Sequence, residues 1–313
     1  MPLDPQVEAL LQGASEGFEM TSLPVDVMRK FVHEASTAYP KQDLPLAGVV
    51  DRTIPGPDGA LPVRIYAPVG PGPFPTIVFF HGGGWVVGDL DTQDMICRGL
   101  CHGAGSIVIS VDYRLAPEHR FPAAVEDAWA ATRWAAAHAG ELGGDAMRLC
   151  VAGDSAGANL AAAVALRARD ESGPRLRAQI LIYGSCNYPS VRTPSSEECA
   201  AGPIITAAAI EYYWKQFLTD PAVEQNHPWA SPARAASHRG LAPAFVATAE
   251  LDPSRDDAER YAEILTRAGV PTESRRYPGM PHGFVSWVGL VDQAGRCLED
   301  ACAFLKRFQS VRA

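Results

Sequence analysis

The 313-residue chain predicts an α/β fold, with a mostly parallel sheet and helices on both faces, and three observations carry that expectation. Apolar runs rich in β-branched residues recur from residue 61 to residue 250, without the polar alternation of a half-exposed strand, as in strands buried on both faces. Helical patterns separate them, in the alternation that builds parallel sheets. One strand-like run also passes straight into a helix-like one through Gly-Asp-Ser-Ala-Gly, Gly153 to Gly157.

Taken in order, the first 46 residues stand apart. Val7, Leu10 and Leu11 form one helical stripe. Val27, Met28, Phe31, Val32 and Ala35 form a second, with Ser22 before Pro24 as its start signal. No strand pattern precedes residues 61–68, so 1–46 reads as a small helical piece attached to something else. Strands follow at 61–68, 76–80, 106–113, 149–153, 178–184 and 243–250, with a strand-like run at 272–277. Between them lie helical patterns, one ended by Gly140 and another by Gly269, a residue suited to the left-handed cap. Residues 185–232 break the rhythm with prolines and a single helical patch, TAAAIEYYWKQFL. Their length suits an insertion over the sheet edge rather than a simple connection. The expected organisation is therefore a helical segment 1–46, a body 47–184, an insertion 185–232 and the rest of the body 233–313.

A net charge of −9 and the absence of any basic run argue against a nucleic-acid partner, because a phosphate backbone wants a basic face. No apolar run approaches a membrane span. The start MPLDPQVEALLQGAS lacks the basic-then-apolar pattern of a secretory signal, so a cytoplasmic location is expected. The seven cysteines are scattered singly. Cys97 and Cys101 lie four apart, but no second pair completes a zinc pattern, so buried reduced thiols and no metal are expected.

The chemistry centres on Ser155. Ligands of open α/β sheets bind at the carboxyl ends of strands, and Gly-x-Ser-x-Gly at such an end is the nucleophile elbow. The turn is so tight that Gly153 and Gly157 must lack side chains, and it places the Ser155 hydroxyl at a helix start whose free N–H groups favour negative charge. Serine needs a base, and the elbow orders nucleophile, acid and histidine along the chain. Downstream of Ser155 stand His227, His238 and His282. His282, in the Pro/Gly loop YPGMPHGF after the last strand-like run, is the candidate. The acid should end the preceding strand, which selects Asp252, with Glu250 as the alternative; Asp256 and Asp257 fall in a first helical turn, where acids serve the dipole. Asp154 is expected to meet helix amides. Glu118, His119 and Asp127 read as a buried brace of the sheet end. The HGGG run, His81 to Gly84, supplies close-approaching backbone amides; Gly83 and Gly84, with the amide of Ala156, are the candidate oxyanion hole.

These residues resemble the hormone-sensitive-lipase-like carboxylesterases (bacterial family IV) of the α/β-hydrolase fold. The matching stretches are HGGGWVVGD, SVDYRLAPEHRFPAAVED, GDSAGANLA, DPSRD and HGF, in order from about Val63 to Phe284. The resemblance implies hydrolysis of small-molecule esters with short to medium acyl chains, needing no cofactor. It also implies a helical cap built from the N-terminal segment and the second insertion. Trp85, Tyr183 and Trp214 are the candidate pocket walls, with Tyr212, Tyr213 and Phe217 alongside. Relatives often form homodimers through the sheet edge. Two departures, Tyr183-Gly184 where many relatives have Tyr-Pro and Ser254 where a leucine often stands, are expected to bear on substrate choice rather than reaction type. An amidase or deacetylase of the same fold is the alternative activity, and a non-catalytic receptor that has lost its histidine is the minor one.

Overall fold

The computed structural model describes residues 2–12, 19–39 and 41–309. Eight strands form one sheet: β1 (Leu46–Gly56), β2 (Gly59–Pro68), β3 (Phe74–Phe80), β4 (Ile107–Val111), β5 (Gly144–Asp154), β6 (Leu176–Ile182), β7 (Ala244–Leu251) and β8 (Thr272–Pro281). Their order is β1-β2-β4-β3-β5-β6-β7-β8. The β1–β2 hairpin and the β2–β4 pair are antiparallel, and every remaining pair is parallel. From β3 the chain steps outward to β4 and then returns to the other side as β5. This reversal of strand order opens a crevice at the carboxyl ends of β3 and β5, where α/β sheets bind ligands.

Alternation along the buried strands divides the core into two layers. Val78 and Phe80 of β3 face one layer, together with Val151 of β5, under the helices α4 (Ala123–His138), α5 (Ala156–Asp170) and α9 (Arg255–Arg267). Ile77 and Phe79 face the other, together with Ala152, under α3 (Asp94–Ala104) and α10 (Asp292–Gln309). Such two-sided burial is why β3 to β7 read as continuous apolar runs. All seven cysteines are free and buried.

One strand escaped the sequence pattern. β1 lies at the sheet's edge and buries only Ile54, so no alternation marks it; ten register positions shared with β2 hold it in place. The N-terminal helices are α1 (Pro5–Leu11) and α2 (Val25–Thr37). The start expected at Ser22 is displaced: Ser22 belongs to a short 3-10 turn, and Pro24 is the residue before the helix. The two helices pack in different places. Val7 of α1 enters the α3–α10 layer, whereas Met28 of α2 joins Val86, Val87, Ala116, Ala209 and Tyr213 in a small separate core. Of the expected α2 stripe, Val27 and Phe31 remain 44% and 46% exposed, so α2 lacks a full apolar face; Met28 is buried, Val25 and Val32 pack beside it, and Arg29 donates to the Val86 and Ala116 carbonyls.

Between β6 and β7 lie α6 (Pro194–Glu198), α7 (Ala207–Phe217) and α8 (Pro221–Glu224). α7 starts at Thr206, whose hydroxyl accepts the Ala209 N–H. Through Ala209 and Tyr213 it meets α2 above the crevice.

Candidate active site

Ser155 joins β5 to α5 with φ 52° and ψ −118°, a strained backbone for a residue with a side chain. The strain is held from several sides. The Ser155 N–H donates to the Ile182 carbonyl of β6 at 2.8 Å. A Cβ on Gly157 would overlap the Phe80 carbonyl, and one on Gly153 would overlap Gly157 itself. Gly157 is thus demanded by close packing of α5 on β3, and Gly153 by the tightness of the turn from β5 into α5.

The structure brings Ser155, His282 and Asp252 into one chain of contacts. Ser155 Oγ lies 2.8 Å from His282 Nε2, and His282 Nδ1 lies 2.7 Å from Asp252 Oδ2. Asp252, fully buried just past β7, is itself fixed: its Oδ1 accepts the Ser254 N–H at 2.8 Å and the Ser254 hydroxyl at 2.7 Å. A carboxylate only accepts, so the proton of neutral His282 sits on Nδ1, and Nε2 is left to accept from the serine hydroxyl. Burial opposes charge on His282, yet the Asp252 carboxylate outweighs it and holds the imidazole above its ordinary value. Glu250, the alternative acid, instead accepts the Gly279 N–H at 2.8 Å and braces the end of β8, just before His282. His238 and His227 lie elsewhere: one contacts the Pro232 carbonyl, the other packs on Phe121 and Trp229.

The glycine-rich loop after β3 arches beside the serine. Gly83 and Gly84 take φ 116° and 60°, and the Gly83 carbonyl accepts both Val86 and Val87 N–H groups. A Cβ on Gly84 would overlap the Tyr213 ring. Among the described residues, no acceptor takes the amides of Gly83, Gly84 or Ala156. His81 shapes the loop from below. Its ring stacks on Tyr113 at 4.2 Å, its Nδ1 meets the Gly82 carbonyl, and burial drives its pKa down to about 4, so it is neutral. Asp154 does not meet helix amides as expected; its Oδ1 accepts the Gly82 N–H across the crevice at 2.8 Å.

A small pocket opens on this centre. Gly84, Trp85, Ser155, Ala156 and His282 line it from the body, and Ser185, Ile205, Ile210, Tyr213 and Trp214 from the insertion, with Ser254. Trp85 is locked by stacking on Phe217 at 4.2 Å and by Trp214 at 4.7 Å; the Trp214 indole N–H donates to Ser185 Oγ at 3.3 Å. Tyr183 requires a correction. It does not line the pocket. With φ 39° its ring turns into the core, 4.8 Å from the His282 ring and 5.7 Å from Phe284. Ser185 and Ile205 were missed, because single residues in an irregular stretch show no periodicity; Ile210 shares a face of α7 with Tyr213 and Trp214, so the helical period of that patch could have found it.

Two further expectations shift. Of the proposed brace only Asp127 is buried, paired with Arg114 at 2.9 Å; Glu118 is exposed and binds Arg29 of α2, and His119 is exposed. Asp256 and Asp257 stand in the first turn of α9 as expected but do more than face its dipole: Asp257 accepts the Cys186 and Asn187 N–H groups and Asp256 that of Ser195, tying the insertion to α9. His33, Asp89 and Asp91 place possible metal-ligand atoms within 4.8 Å of one another, away from Ser155. There His33 and Asp89 bond each other directly at 2.7 Å and join α2 to the glycine-rich loop.

Residues 77–286 match a family described by its alpha/beta hydrolase fold. The chain belongs to that family. It is 44% identical over 278 residues to the esterase LipI of Mycobacterium tuberculosis, covering 87% of this chain and 86% of that one. Over 311 residues it is 40% identical to the carboxylesterase NlhH of the same organism, covering 97% and 96%. Among solved structures, the hyperthermophilic esterase of Pyrobaculum calidifontis superposes with a TM-score of 0.92 at 38% identity, over 98% of this chain and 99% of that one. The protein is an ester hydrolase of the carboxylesterase type within this fold.

Proposed function

We propose that this carboxylesterase hydrolyses small esters of short to medium acyl chain, with Ser155 as nucleophile, His282 as general base and acid, and Asp252 as the group that orients His282. The observation that carries the reading is the unbroken relay of 2.8 Å and 2.7 Å from Ser155 through His282 to Asp252. Ser155 Oγ attacks the ester carbonyl while its proton moves to His282 Nε2. The resulting oxyanion is held by the amides of Gly83, Gly84 and Ala156. His282 then returns the proton to the departing alkoxide, and the acyl group stays on Ser155. Water, deprotonated by His282, repeats the attack and releases the acid. The small, aromatic-walled pocket supports a limited acyl length, with Trp85 and Trp214 as its walls. Residues 1–46 and 185–232 form the proposed cap, supported by the contact of α2 with α7. We place the protein in the cytoplasm, in keeping with seven free cysteines; no helix among the described residues is long and apolar enough to cross a membrane. A homodimer through the sheet edge is the proposed assembly, supported by β8 standing last in the strand order.

Incubation with an organophosphate should add one phosphoryl group per chain, with loss of the reagent's leaving group, and peptide mapping should place it on Ser155. Hydrolysis of p-nitrophenyl esters should stop in step with that labelling. Activity that survives full labelling, or a label elsewhere, rejects the reading.

The same site sets a pH dependence. His282 must be neutral to accept the serine proton, and its raised pKa keeps it protonated to a higher pH than a free imidazole. The kcat/KM of a p-nitrophenyl ester should therefore fall on acidification, with its half-point above the free-histidine value of about 6.5. A half-point below that value contradicts the assignment of His282 as the base.

A further inference from the structure

Asp154 is 3% exposed, adjoins the nucleophile and enters no step of the mechanism above. The parallel ladder between β3 and β5 ends at the pair Phe80–Gly153. Just beyond it, where the two chains part into the glycine-rich loop and the elbow, the Gly82 N–H donates to Asp154 Oδ1 at 2.8 Å. The approach is so close that a Cβ on Gly82 would overlap the carboxylate. The other oxygen, Oδ2, lies 3.4 Å from the Tyr183 hydroxyl, and the Tyr183 ring lies 4.8 Å from that of His282. One buried carboxylate, on the residue beside Ser155, therefore touches both the loop that leads to Gly83 and Gly84 and the ring that backs His282.

We propose that Asp154 is a positioning residue: its carboxylate straps the oxyanion loop to the nucleophile elbow and, at neutral pH, holds a negative charge behind His282. This rests on the serine-hydrolase reading above. The strap matters because the oxyanion forms between two backbone pieces with no covalent link nearby. Donors aimed at a developing charge lose most of their effect when displaced by about 1 Å. Burial pushes the Asp154 carboxyl up to about 6, which leaves it ionised at neutral pH. The titratable groups that face it are Tyr113, Tyr183 and Cys97, all held neutral by burial, and His282, which becomes positive during turnover and is further favoured in that form by Asp154.

The test compares wild type, Asp154→Ala and Asp154→Asn on p-nitrophenyl butyrate, with kcat expressed per organophosphate-titratable site. Asp154→Ala frees the Gly82 amide and should lower kcat roughly ten- to a hundredfold with KM within about twofold. Asparagine retains an oxygen for Gly82 but no charge. Its kcat should stay within about fivefold of wild type, and the acid limb of kcat/KM should move to lower pH, because His282 loses a neighbouring anion. A role in folding alone moves neither kcat per titrated site nor the limb. Unchanged kcat per site in Asp154→Ala overturns the strap, and an unmoved limb in Asp154→Asn overturns the charge behind His282. If the alanine variant does not fold, Asp154→Ser, whose shorter side chain falls short of the Gly82 amide, is read for the same loss of kcat per site, and Asp154→Asn still decides the charge. A wild type that does not titrate at Ser155 overturns the underlying reading and the strap with it; a wild type that titrates beside unchanged variants overturns the strap alone.

Discussion

Ser155→Ala should lower kcat on p-nitrophenyl butyrate by about 10⁶-fold, the scale on which removing a paired serine nucleophile acts. The size follows from the lack of a substitute among the pocket hydroxyls. Ser254 lines the pocket, but its hydroxyl is committed to Asp252 Oδ1 at 2.7 Å. Ser185 accepts the Trp214 indole N–H, and the imidazole nitrogen at 2.8 Å faces Ser155. Water must then attack unaided by a properly placed base, and the covalent route closes. The fold should be nearly indifferent. Alanine carries the same φ 52° strain as serine, the Ser155 N–H to Ile182 carbonyl bond is backbone, and one hydroxyl is worth about 1 kcal/mol. The urea midpoint should therefore barely move. Residual kcat above about one hundredth of wild type in a preparation free of contaminating esterase would sink the assignment of Ser155 as nucleophile.

What the sequence made legible, and what it left hidden, divides along physical lines. Gly153, Gly157, Gly83 and Gly84 stood out because close backbone packing forbids a side chain, and that prohibition is written as a residue type; the overlaps found at each position are its cause. Strands β3 to β7 were legible because two-sided burial makes an unbroken apolar run. β1 was not: an edge strand is specified by backbone bonds to β2, and one buried side chain, Ile54, leaves no period. Tyr183 could not be placed because its direction depends on φ 39°, a property of the turn rather than of tyrosine. Asp154 was misread, and Asp257 read only in part, for a common reason. Beside a helix start, an acid has local amides within reach, and only the tertiary arrangement puts the Gly82 amide, or those of Cys186 and Asn187, in a better place. Residues joined across 72 or 71 positions of chain carry no local trace of the bond.

The Ser254 contact gives Asp252→Asn a direction that the histidine–acid distance alone would not. Asp252 Oδ1 faces two donors, the Ser254 N–H and hydroxyl, and Oδ2 faces His282 Nδ1. An asparagine must choose which end receives its NH₂. Turned toward Ser254, the NH₂ would meet a backbone N–H that cannot become an acceptor, about 2.8 Å away. The amide oxygen therefore stays on Ser254, and the NH₂ points at His282 Nδ1. That nitrogen must then accept, so the imidazole proton moves to Nε2, the atom 2.8 Å from Ser155 Oγ. His282 now donates to the serine where it should accept from it, and the base is lost with every heavy atom still in place. The expected result is a fall in kcat of about 10⁴-fold with an unfolding midpoint close to wild type. The deficit should shrink as hydroxide rises above about pH 9, since the serine proton then has another acceptor. Asp252→Asn retaining a tenth or more of wild-type kcat at pH 8 would mean that His282 keeps its tautomer without the carboxylate, and that the Asp252 side chain does not orient the base.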